Sequence, residues 1–121
     1  MKVYSTHFVL KGKSDYKDLA PVFPDILGML LKEIGQLPDE EEIMQMYIEE
    51  NTSDLKKNRK PEGYNRKGKV RLVFPIGEKE FYLKSYSKAT DLASISDRVS
   101  EMLSSSGVKF DVKKNDRIEF E

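Results

Sequence analysis

Apolar and polar residues alternate from Lys2 to Leu10. Tyr4, Thr6, Phe8 and Leu10 fall on one side and Val3 and Val9 on the other, and this period of two predicts a strand. Residues 12–18 are polar and read as a turn. The period then changes. Leu19, Val22, Phe23, Ile26, Leu27, Leu30, Leu31 and Ile34 recur at helical spacing and form one wide apolar stripe. Pro24 has no backbone N–H, so it belongs in the first turn of that helix, which starts near Val22. Gly35 is placed to end it in the left-handed conformation. A second helix follows Pro38, with Asp39 as the expected cap and Ile43, Met46 and Tyr47 on its apolar face.

Residues 51–69 break the pattern. Leu55 and Tyr64 are their only apolar or aromatic members, and Pro61, Gly63 and Gly68 punctuate them. The expectation is a long, polar, basic loop, part of which extends the second helix. Alternation returns in Val70, Leu72, Phe74 and Ile76, and again in Phe81 and Leu83. Gly77 and Glu78 sit between the two runs as a hairpin turn. Pro75 removes a ladder donor and marks an edge or a strand end. Leu92, Ile95, Val99, Met102 and Leu103 form the stripe of a third helix, capped by Ser87 or Thr90 and ended by Gly107. A last hairpin is expected, with Val108, Phe110 and Val112 pairing with Ile118 and Phe120 across Asn115 and Asp116.

The resulting order is β-α-α-loop-β-β-α-β-β in a single α+β domain spanning 1–121. One apolar stripe per helix requires a mostly antiparallel sheet of about five strands with two or three helices on one face. A split β-α-β arrangement fits this order and implies no function by itself. The 121 residues suit one core.

Charge changes the picture locally. The 21 basic and 21 acidic residues cancel, whereas a dedicated nucleic-acid binder is usually basic overall. The basic residues nevertheless cluster: Lys56, Lys57, Arg59, Lys60, Arg66, Lys67, Lys69 and Arg71 lie close together, with Tyr64 among them. Such a cluster is a solvated loop, a phosphate contact with Tyr64 stacking on a base, or a dock for an acidic protein. Asp39, Glu40, Glu41, Glu42, Glu49, Glu50 and Asp54 precede it. The first four suit a helix N-terminus, where the macrodipole favours negative charge. On the last strand of the central hairpin, Tyr82, Lys84 and Tyr86 lie opposite Phe81 and Leu83, a tyrosine–lysine–tyrosine face of interface composition.

Catalytic furniture is sparse. The chain has no cysteine and one histidine, so no thiolate or histidine-rich metal site is expected, and no cofactor. His7 shares a strand face with Ser5 and Val9 and reads as a plain surface or half-buried residue; it could serve a serine as base, but no serine sits in an elbow setting. Asp111-Val112-Lys113 resembles a nuclease step but lacks partner acids. No apolar run approaches the roughly 18 residues needed to span a bilayer. Residues 1–7 lack the apolar stretch of a signal peptide, so the expected location is cytoplasmic and no membrane partner is expected.

These features point to a small non-catalytic binding protein of inhibitor, immunity or accessory-factor type that docks on a macromolecule, foremost a protein. Its candidate contacts are Lys56, Lys57, Arg59, Lys60, Tyr64, Arg66, Lys67, Tyr82, Lys84 and Tyr86. The alternatives are a nucleic-acid-binding module using 56–71 and an enzyme of unrecognised type.

Overall fold

The computed structural model describes residues 2–65, 70–85 and 89–119, with side chains described for 3–65, 70–85 and 92–114. The element order is β1 (Lys2–Leu10), α1 (Tyr16–Leu19), α2 (Phe23–Glu33), α3 (Glu41–Lys56), β2 (Val70–Val73), β3 (Glu80–Ser85), α4 (Ala89–Ser105) and β4 (Phe110–Glu119). The strands form one sheet in the order β2-β3-β1-β4, and every neighbouring pair is antiparallel. It follows that β1 and β2 run parallel with β3 between them, and β3 and β4 run parallel with β1 between them. Both crossovers are therefore split β-α-β units.

The alternation of the strands decides where the core lies. Phe8, Phe81, Leu83 and Leu72 face the same side, and there they join the stripes of α2 and α4 in one buried cluster. Aromatic rings link the layers: Phe8 stacks on Phe81 at 5.0 Å, Phe81 meets Phe74 at 5.5 Å, and Phe74 meets Phe23 at 6.2 Å between centroids. The α2 helix is as its pattern predicts, with Val22 as the N-cap, Pro24 in the first turn and Gly35 at φ +70°. The central hairpin also keeps its predicted register. Val73 pairs with Tyr82, which is the register of a turn centred on Gly77 and Glu78. Its first strand, β2, lies at the sheet edge and stops two residues before Pro75.

Three expectations need correction. The stretch 12–18 is not all turn: Asp15 caps α1 through a reciprocal capping box with Asp18. Asp39 does not cap α3, whose N-cap is Glu40 without a side-chain hydrogen bond. The first residues of the segment 51–69 extend α3, as expected, and the helix ends at Lys56. Its inner face reads Met44, Tyr47, Ile48, Asn51 and Leu55. The buried Asn51 interrupts that stripe with a polar residue, which hid its period. Finally, the predicted terminal hairpin is a single strand, so the described residues hold four strands and not five. Ser5 pairs with Asn115 and Val3 with Ile118, leaving two β4 residues opposite the single Tyr4. The bulge therefore falls at Asp116 and Arg117, and Asn115 pairs in the ladder instead of turning the chain. Thr90 lies inside α4, whereas Ser87 and Phe120 fall outside the described residues.

Candidate functional site: the helix-free face of the sheet

With α2 and α4 packed on the Phe8 side, the opposite side of the sheet carries its own rows of residues. The registers set them out. Arg71, Lys84 and Ser5 form one row across β2, β3 and β1. Val73, Tyr82, His7 and Lys113 form the next, and Glu80, Val9 and Asp111 the third. Val9, Val73, Tyr82, Lys84 and Arg71 are half-buried, and none belongs to the hydrophobic core cluster.

At the centre stands His7. Its Nδ1 lies 2.7 Å from Glu80 Oε2, and its Nε2 lies 2.9 Å from Ser5 Oγ. Its ring sits against that of Tyr82, with centroids 4.8 Å apart and planes inclined by 32°. His7 is half-buried, as the sequence allowed, and both of its ring nitrogens are engaged. The pairing of Ser5 with His7 was legible as two positions of one strand face. Glu80 was not, because only the β1–β3 register brings it there. At the rim, Asp111 pairs with Lys11 at 2.9 Å, which ties the nuclease-like step into a surface ion pair.

The candidate contacts read from the sequence separate into distinct places. Tyr82 and Lys84 lie on the helix-free face, as expected of residues opposite Phe81 and Leu83. Lys56, Lys57, Arg59 and Lys60 are exposed at the end of α3, in the helical layer. There Lys56 borders a hollow with Lys17, Ala20, Pro21 and Pro24, and Arg59 pairs with Asp54 at 3.2 Å. Tyr64 is only 6% exposed: it packs edge-on against Tyr47 at 5.8 Å, and its backbone bridges Leu72. This placement withholds its ring from a stacking base. Arg66, Lys67 and Tyr86 lie outside the described residues.

A polar clasp fixes the end of the sheet next to the basic residues. Asn58, at φ +57°, accepts from the Lys17 N–H at 3.0 Å and donates to Asp15 at 3.2 Å. Asp15 also accepts from Lys79 at 2.8 Å. That hydrogen bond, opposed by partial desolvation, holds the Asp15 carboxyl below the usual carboxylate range. Burial pushes the neighbouring Tyr16 phenol up, while its hydroxyl donates to the Glu78 carbonyl at 2.7 Å.

Fold and face together define a small α+β protein whose four-stranded antiparallel sheet is covered on one side by helices. Comparison with known proteins finds no matching family model, no matching curated protein and no matching solved structure. Among the described residues, no helix is long and apolar enough to cross a membrane.

Proposed function

We propose that this chain acts by docking on a protein partner through the helix-free face of its sheet, with Tyr82 near the centre of the contact. The observation that carries this reading is the make-up of that face. An aromatic ring and two valines lie among charges of both signs: Arg71, Lys84 and Lys113 with Glu80 and Asp111. Tyrosine and arginine are enriched at protein interfaces, and alternating charge fixes register against a complementary protein surface. A phosphate backbone would instead favour one sign of charge and an available stacking ring. The sheet is a rigid platform, so the contact needs little ordering on binding. The inhibitor or accessory-factor class fits this mode of action.

The test is affinity capture followed by titration of the captured pair. Wild type is compared with Tyr82→Ala, with Lys84→Glu and with the control Lys32→Glu on α2. A partner held by wild type and control should bind the Tyr82 variant about 30-fold more weakly, the scale of a central interface tyrosine. Equal affinity in all four folded proteins would remove the helix-free face from the interface.

A further inference from the structure

The helix-free face carries a chain of three groups that docking does not require. Ser5 and His7 are two residues apart on β1, so both side chains leave the strand on the same side. Glu80 reaches that side from β3, where it pairs with Val9. The acid sets the polarity of the chain. An ionised carboxylate only accepts, so Nδ1 of His7 carries the proton and donates it to Glu80 across 2.7 Å. In the neutral ring Nε2 then holds the lone pair. The 2.9 Å bond to Ser5 therefore runs from hydroxyl to ring. A serine proton is thus directed onto a base that a third group orients, which is the arrangement of an activated nucleophile. Lys84 pairs directly with Ser5 in the register, and Arg71 pairs with Lys84 beyond it. Two cations thus share the row of the hydroxyl, Lys84 on the neighbouring strand and Arg71 one strand further, where its Nη1 donates to Asn65 Oδ1 at 3.4 Å; positive charge in this row favours the oxyanion that develops when a carbonyl is attacked.

We propose that Ser5 is a nucleophile with His7 as its general base, and that the site takes a carboxylic ester bearing an anionic group. This activity goes beyond docking and does not rest on it. Glu80 acts through His7 and is a positioning residue. Ser5 Oγ bonds to the carbonyl carbon while Nε2 of His7 takes the hydroxyl proton. The ester C–O bond then breaks, and that proton passes to the leaving alkoxide. Water, losing a proton to the same nitrogen, cleaves the acyl–Ser5 ester and restores the hydroxyl. Lys84 stabilises the oxyanion, and Arg71 meets the anionic group of the substrate. Ser5 is 5% exposed, so substrate entry requires the half-buried side chains around it to swing aside.

A fluorophosphonate tests the nucleophile on the full chain. The Oγ–P bond forms, the P–F bond breaks, fluoride leaves and the hydroxyl proton goes to His7. Peptide mass spectrometry should place the adduct on Ser5 and find none on that peptide in Ser5→Ala. His7→Gln should label about 100-fold more slowly. Glu80→Gln should label about tenfold more slowly, with part of the rate restored in Glu80→Asp. Thermal unfolding establishes that each variant is folded. If His7→Gln does not fold, carbethoxylation of the single histidine with diethyl pyrocarbonate replaces it and must slow labelling equally. Hydrolysis of p-nitrophenyl hemisuccinate tests the substrate class, with turnover lost in Ser5→Ala and KM raised in Arg71→Ala. A wild type without a Ser5 adduct, an unchanged labelling rate with His7 removed, or turnover no faster than in Ser5→Ala overturns the proposal. None of these results bears on docking, which is read from partner affinity.

Discussion

Replacing Gly63 by alanine probes how firmly the segment after α3 is fastened to the sheet edge. Gly63 has φ +76°, a conformation that costs a residue with a side chain roughly 1–2 kcal/mol. Space is the second cost. A Cβ at this position would lie 2.4 Å from the Leu72 carbonyl oxygen and 3.3 Å from Phe74 Cδ1. The nearer atom is backbone of β2 and cannot rotate away. Relief must come from the bridge in which Tyr64 and Leu72 exchange two backbone hydrogen bonds of 2.8 Å. Each such bond contributes about 0.5–1.5 kcal/mol. The expected total is roughly 2–5 kcal/mol, or a fall of about 10–15 °C in Tm for a domain of this size. Gly107 supplies the control. Its φ is +80° and nothing lies within 4 Å of the added Cβ, so alanine there bears the conformational strain alone. Urea unfolding at unchanged m compares the two. If Gly63→Ala is no more destabilising than Gly107→Ala, the close approach of this segment to β2 is refuted.

Asn51→Ala should cost about 1–3 kcal/mol by urea unfolding, because it leaves the Gly63 N–H, now 2.7 Å from Asn51 Oδ1, without its buried acceptor. Asp15→Asn keeps a good capping side chain but loses the charge facing Lys79. The folded-state pKa of Asp15 is depressed, so its contribution is present above the unfolded value near 3.8 and is lost as pH falls through the folded value. The variant should therefore be less stable than wild type at pH 6, with the gap closing below about pH 4 in parallel urea titrations. A gap that stays constant with pH would deny the carboxylate that role. Ser96 is 1% exposed, and its hydroxyl has no hydrogen-bond partner among the described residues. Ser96→Ala should raise stability by about 0.5–1 kcal/mol, and a loss would mean that the hydroxyl is satisfied.

Where one period of apolar residues ran uninterrupted, the sequence was enough to place the element. The α2 stripe is uninterrupted between Pro24 and Gly35, and the central hairpin is framed by Pro75 and Gly77, so both were legible with their registers. Where a polar residue does structural work inside a stripe, the element's end was not legible. Asn51 occupies a core-facing position because it holds the Gly63 backbone, so the pattern allowed the helix to run into this segment without placing its end at Lys56. Asn115 and Asp116 have turn chemistry, yet β1 is long enough to pair with Asn115 and again with Ile118, and the residues between became a bulge. The outward face of Tyr82 and Lys84 followed from alternation alone. Tyr64 did not, because its burial depends on Tyr47 and the β2 edge, which no local pattern records. The Ser5–His7–Glu80 chain was half legible: two members share a strand, and the third is 73 residues from His7.

Docking through the helix-free face is open to photo-crosslinking, with p-benzoylphenylalanine placed singly at Tyr82, at Met46 on α3 and at Ile76 in the β2–β3 turn. Irradiation of each folded variant with the captured partner should give a partner adduct from position 82 and none from position 46. An adduct from position 46 or 76 with none from 82 would contradict the account and move the interface to the helical layer or the turn.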